Sequence, residues 1–232
     1  MIGVLRRRVM GGKAEVPEWK LYVQDGLVFQ LDGTNKGATD GTWVDLVGGK
    51  VFTANNSTYI QSVEDGFLFS GEDAYNASVF NAMTSSSTLV GTRTYTMEAA
   101  CSPTAWGSGR RALFIASNRA CGLSLRGDFF WASGSNGRWT NSIREDQLQK
   151  VTMSFNQDIG LINGQQLTTI TSGEQMSVSD AFQVGSCQNR GYNFAGTIHS
   201  IRIYSRSLSL AERLHNQQVD NERFNLGLTI TT

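Results

Sequence analysis

The sequence predicts an all-β fold, two antiparallel sheets packed as a sandwich, with one short helix near the C-terminus. Three observations carry this. Twenty-five glycines against two prolines, with short apolar runs between polar stretches, are the composition of many turns joining strands. Apolar residues recur at every second position, as in Leu27, Phe29, Leu31 and in Val151, Met153, Phe155, the period of a strand with one buried face. A single helix signal stands near the end, where Ser209 and Glu212 have capping-box spacing and Leu210 and Leu214 sit four apart on one face.

A chain of 232 residues fits one large sandwich with short extensions. Residues 1–25 read as an N-terminal arm and possible anchor, because Arg6, Arg7, Arg8, the Gly11-Gly12 pair and Pro17 show no sustained periodicity. The domain is expected over 26–224, opening with the Leu27–Leu31 alternation and an Asp32-Gly33 turn. Phe67 and Phe69 share a face, and Pro103 ends the strand that begins near Tyr95, since proline has no amide to donate. Five or six strands are expected between 111 and 187, with Asn163-Gly164 as a type I′ hairpin turn. Phe29, Phe69, Phe155, Phe182 and Ile203 are the expected core. In the last strand, Ile198, Ile201 and Ile203 share a face only if an extra residue is inserted near His199 and Ser200, as in a β-bulge. The tail 225–232 is β-prone, suited to an edge strand or to pairing with another subunit.

The pattern Gly196-x-Ile-x-x-Ile-Arg-Ile-Tyr204-x-Arg-x-Leu-Ser-x-x-Glu212, trailed by Asp220-x-x-Arg223-Phe224, resembles the last strand of laminin-G-like domains with the concanavalin A-like jelly-roll fold. Trp43-Val-Asp45-Leu46-Val-Gly48, Phe69-Ser-Gly71 leading to Tyr75, and a strand, Asn-Gly turn and Val184-Gly185 strand in that order are similar to further elements of the family. The resemblance implies a jelly-roll sandwich that binds far more often than it catalyses.

Glycoside hydrolases of this fold carry Glu-x-Asp-x-x-Glu on one strand, which sets the carboxylates on one face, and no such run exists here. Glu72-Asp73 would point to opposite faces of a strand, and Glu145-Asp146 sits in a polar turn. The only histidines, His199 and His215, lie in the scaffold segment, as bulge residue and on the exposed flank of the helix, and no Gly-x-Ser-x-Gly elbow accompanies them. A non-enzyme is therefore expected, with no cofactor and no metal. Asp32, Asp40, Asp45, Asp65 and Asp73 supply oxygen donors but match no fixed calcium loop and suit Asx turns better. Cys101, Cys121 and Cys187 lack zinc spacing and read as buried small hydrophobes, with one disulfide and a free thiol as the alternative.

Equal numbers of basic and acidic residues give no support to a nucleic-acid or anionic-membrane partner, and no run of about 20 apolar residues offers a membrane span. Trp106, Arg110, Arg138 and Trp139, in a stretch that also contains Trp131, Arg111, Arg119 and Arg126, are the candidate ligand-binding residues, since aromatic faces stack on sugar rings and arginine forks grip carboxylates. Tryptophans filling the core are the alternative. The expected function is a structural and interaction protein of a phage virion, a fibre or decoration subunit with a lectin-like outward domain. The opening Arg6-Arg7-Arg8-x-Met-Gly-Gly resembles short arms of phage and prophage proteins, and no export signal follows it. Protein partners docked through Arg6, Arg7 and Arg8, a glycan ligand, homo-oligomerisation and assembly in the host cytoplasm complete that reading. A stand-alone carbohydrate-binding module is the alternative and a glycoside hydrolase the third.

Overall fold

A computed structural model describes residues 17–37, 41–71, 82–88, 95–105, 111–116, 122–126, 129–132, 138–140, 149–156, 159–171, 181–186 and 193–230. The first strands are β1 (Leu27–Asp32), β2 (Thr42–Val44), β3 (Val51–Ala54), β4 (Ile60–Val63), β5 (Gly66–Ser70) and β6 (Met83–Thr88). The middle of the chain supplies β7 (Thr96–Pro103), β8 (Arg111–Ala116), β9 (Gly122–Arg126), β10 (Phe129–Ala132) and β11 (Arg138–Thr140). The remainder are β12 (Val151–Phe155), β13 (Gly160–Ile162), β14 (Gln165–Gln166), β15 (Thr168–Thr171), β16 (Ala181–Val184) and β17 (Ala195–Tyr204), before helix α1 (Leu210–Arg223). Between 111 and 187 the strands β8 to β16 exceed the five or six expected, because pieces as short as β11 and β14 carry too few residues for an alternation to be read.

All pairings are antiparallel and form two sheets. One runs β14-β13-β12-β7-β17-β5-β4, with β1 also paired to β17; the other runs β15-β11-β10-β9-β8-β16-β6-β3-β2. The long β17 takes β7 along one edge and shares its other edge between β5, on residues 195–198, and β1, on 200–204. The register slips between Ile198 and Ser200, which makes His199 the inserted residue and restores Ile198, Ile201 and Ile203 to the core. Asn163 and Gly164 both have positive φ in the two-residue turn from β13 to β14, as a type I′ turn requires.

Phe29, Phe69, Phe155, Phe182 and Ile203 are all buried in the common core. Phe29 of one sheet lies against Phe52, Phe114 and Phe182 of the other, with ring centroids 5.7, 5.4 and 6.5 Å away, and Phe114 stacks on Phe182 at 4.2 Å. Trp43 is fully buried, its indole N–H satisfied by the Asp32 carbonyl at 2.9 Å.

Helix α1 starts as expected: Ser209 Oγ accepts from the Glu212 amide and the Glu212 carboxylate accepts from the Ser209 amide. Arg206 holds that carboxylate at 2.6 Å, and this bond with the Ser209 amide draws the Glu212 pKa down to about 2. The buried side of the helix is mostly polar. Leu210 is exposed, and the covered positions are Leu214 and Val219 with the polar Arg213, Asn216, Gln217 and Asp220. The cause lies beneath it. On the side of the sheet away from the core, β7, β12 and β17 present Glu98, Thr152, Ser154, Ser200, Arg202 and Tyr204, and a polar surface needs polar partners when water is removed.

Arg202 is at the centre of this layer. Its guanidinium donates to Asp220 at 2.8 and 2.5 Å, to Glu98 at 3.1 Å and to Ser200 at 3.0 Å, with the Tyr22 ring over it at 3.9 Å. Glu98 further accepts from Ser154 and Asn216. Burial pushes the Glu98 carboxyl above its ordinary range against the pull of Arg202, while Asp220, Tyr22 and Glu98 raise the Arg202 guanidinium well above its own despite desolvation. Arg213, with Ser154 and two backbone carbonyls as partners, is lowered by burial to about 10. Tyr22, Val23 and Leu21 bond Asp220, Asn216 and His215, so residues 21–23, assigned to the arm by sequence, are packed on the helix. Residues 1–16 with Arg6, Arg7 and Arg8 lie outside the described residues. The tail folds back rather than forming an edge strand over 225–230. Leu226 packs on Ala100 and Phe224, and the Asn221 side chain takes both backbone groups of Leu228, leaving them no strand partner.

Replacing Arg202 with methionine leaves Glu98 and Asp220 buried without a counter-charge, and a loss of about 3–5 kcal/mol is expected in urea unfolding. Ser209→Ala removes only the helix cap, with an expected loss of about 1 kcal/mol in the same measurement.

Candidate functional site

The candidate surface is built on the three neighbouring strands β9, β10 and β11 of the second sheet. Phe114 belongs to the core and is registered with Leu123, which is paired in turn with Ala132. Alternation then assigns Leu125, Phe130 and Trp139, aligned through the pairs Leu125–Phe130 and Phe130–Trp139, to the core-side positions. The intervening positions belong to the opposite face of the sheet. There Trp131 is paired with both Ser124 and Arg138, and Phe129 with both Arg126 and Thr140. Directly opposed positions on one face are immediate neighbours, so the backbone sets two aromatic and two arginine positions side by side, away from the core.

Of the four candidate ligand-binding residues, Arg138 and Trp139 are in β11, where Arg138 pairs with Trp131 and Trp139 with Phe130. Phe129 pairs with Arg126 in the adjoining register. The signal was present as alternation, but β11 has only three residues and reveals its phase only through its neighbours. Trp106 and Arg110 lie outside the described residues.

The other candidate groups are engaged in the scaffold. Asp32 binds Arg223, and although burial pushes its carboxyl up, the hydrogen bonds and charge of Arg223 with those of Thr34 hold it below the usual range. Asp45 accepts from the amides of Gln30, Val47 and Gly48 at 2.9, 3.1 and 3.0 Å, an Asx-type role. Asp40, Asp73, Glu72, Glu145 and Asp146 lie outside the described residues. Among the described residues no group of three or more His, Cys, Asp or Glu side chains is gathered to hold a metal ion, and no helix is long and apolar enough to cross a membrane. Cys101 is a free, fully buried thiol whose pKa burial raises; Cys121 and Cys187 fall outside the described residues. His215 is on the exposed flank of α1, its Nε2 donating to the Leu21 carbonyl at 2.9 Å.

Solved structures share the architecture. A Trypanosoma rangeli sialidase in complex with sialic acid superposes with a TM-score of 0.58 at 16% identity over 85% of this chain, which spans 33% of the sialidase. Domain 4 of AbnA, an extracellular arabinanase from Geobacillus stearothermophilus in complex with arabinotriose, gives 0.58 at 15% identity, covering 84% of this chain and 98% of that domain. The binding domain of botulinum neurotoxin DC in complex with SialylT gives 0.55 at 14% identity, covering 85% and 52%. At these identities the likeness is one of fold. No curated protein sequence matches the chain. Residues 77–212 match the family model described as the concanavalin A-like lectin/glucanases superfamily, and with its two antiparallel sheets and, among the described residues, one α-helix, the chain belongs to that family.

Proposed function

We propose that the chain is a carbohydrate-binding interaction module whose glycan lies on the outward face of β9, β10 and β11, and that it serves on a phage virion as a fibre or decoration subunit. The observation that carries the binding part is the register that sets Trp131 beside Arg138 and Phe129 beside Arg126 on the face away from the core. Apolar ring faces pair with the C–H faces of sugars, and guanidinium groups give directional bonds to hydroxyls and carboxylates. The arabinanase domain and the toxin binding domain, solved with arabinotriose and SialylT, support the reading at the level of the fold. The virion part rests on the opening Arg6-Arg7-Arg8-Val-Met-Gly-Gly, which resembles short arms of phage and prophage proteins and would dock on a protein partner while the sandwich faces outward. Multimeric display would raise avidity for a repetitive glycan surface without any new contact.

On a glycan array the intact protein is expected to retain a subset of glycans, and Trp131→Ala to weaken that retention about tenfold or more; an array without retention rejects the binding reading. Mass spectrometry of purified virions is expected to find the chain, and deletion of residues 1–16, which spares the packed Tyr22, to abolish its incorporation. Virions lacking the intact chain would reject the virion reading.

A further inference from the structure

The bulge in β17 places a cluster that neither the sandwich nor the glycan surface uses. Ser102 of β7 has its Oγ 2.8 Å from His199 Nε2. On the other side of the ring, Nδ1 lies 3.0 Å from the Asp65 carbonyl oxygen and 3.3 Å from the Asp65 carboxylate. Both neighbours of Nδ1 are acceptors, so the proton resides there, and Nε2 offers a free lone pair to the Ser102 hydroxyl. Hydroxyl, imidazole and carboxylate therefore stand in the order of nucleophile, base and orienting group.

The placement is tightly defined. Asp65 sits in the two-residue turn between β4 and β5, and that turn reaches the bulge because glycines leave room: a Cβ on Gly33 would lie 2.1 Å from the Asp65 carbonyl, and one on Gly66 2.3 Å from the Ile198 carbonyl. The bulge itself is closed by backbone, the His199 carbonyl accepting from the Gly33 amide at 2.7 Å, so it does not require the imidazole. Phe224 stacks on the ring at 5.1 Å and leaves the His199 side chain 5% exposed, whereas Asp65 is 40% exposed and Ser102 is half-buried. Lys150 completes the cluster. Since Val151 pairs with Cys101, the next register position sets Lys150 opposite Ser102, and its ammonium, bonded to the Asn225 carbonyl, is exposed. Burial first, and then the Lys150 charge, lower the His199 pKa, against the Asp65 carbonyl and carboxylate and Asp220; the ring is thereby kept neutral, as a base must be.

We propose that Ser102, His199 and Asp65 form a serine hydrolase site for a small O-acyl ester, with Lys150 facing the developing oxyanion. Ser102 Oγ forms a bond to the acyl carbon as its proton passes to His199 Nε2. The bond from that carbon to the alcohol oxygen then breaks, and Nε2 returns the proton to the departing alcohol. Water, deprotonated by the same nitrogen, attacks the acyl-serine, releases the carboxylic acid and restores Ser102. Asp65 is a positioning residue that fixes the tautomer.

The full chain is treated with a fluorophosphonate probe and, separately, assayed with p-nitrophenyl acetate. Expected are a single adduct, mapped by peptide mass to Ser102, and hydrolysis whose rate rises with pH through a midpoint below 6.5. Ser102→Ala and His199→Gln are expected to lower that rate about 100-fold. Asp65→Asn is expected to lower it and shift the midpoint further down, a change that a purely structural role would not produce. Ser102→Ala removes one hydroxyl, and its folding is checked by circular dichroism. Wild-type hydrolysis by folded Ser102→Ala, or a probe that labels another residue or none, overturns the proposal.

Discussion

The Arg202 guanidinium, closed between Glu98 and Asp220 and covered by Tyr22, is the interaction on which the rest of this molecule depends. A sandwich sheet ordinarily turns one face to water. Here the sheet that contains β7, β12 and β17 is polar on its far face yet loses its water, because α1 and residues 21–23 lie over it. The arrangement is stable only while each buried charge has its counterpart, since an ion in such surroundings costs far more alone than in a pair. Three chain segments distant in sequence meet at this one cation, and the helix is oriented by what Asp220 and Asn216 must reach rather than by an apolar stripe.

That docking sets the geometry at both ends of the helix. At its C-terminal end Phe224 is brought onto His199, and the tail turns back to place Leu226 on Ala100. Arg223, continuing the charged side, fastens Asp32 at the end of β1. The bulge, the turn that carries Asp65 and the end of β7 are thereby clamped from above by the same element that neutralises the sheet. The outward face of β9, β10 and β11 owes nothing to this layer, because it belongs to the other sheet and is governed by strand alternation alone.

Particular residues show what could be read in advance. The three isoleucines of the last strand demanded one phase slip, and the inserted residue is His199, because a period of two tolerates no other way to keep all three inside. Asn163-Gly164 and the Ser209–Glu212 box were legible because turn and cap chemistry are local. Leu210 and Leu214 are four apart, yet the first is exposed and the second buried, since helical spacing reports a face but not what the face meets. Arg138 and Trp139 share a strand of three residues, which has no internal evidence of phase. Asp65, Ser102 and His199 could not be linked at all, being joined only where two strands and a turn converge.

The sequence by itself determined the two-sheet class, the core phenylalanines, the bulge and the capped helix, because each follows from periodicity or from bonds within a few residues. Only the tertiary structure decided which outward residues share a face, which polar groups are buried together, and that a bulge residue stands between a serine and an aspartate. Those outcomes depend on strand register and helix docking, and both are settled by pairing partners many residues apart, about which no local pattern carries information.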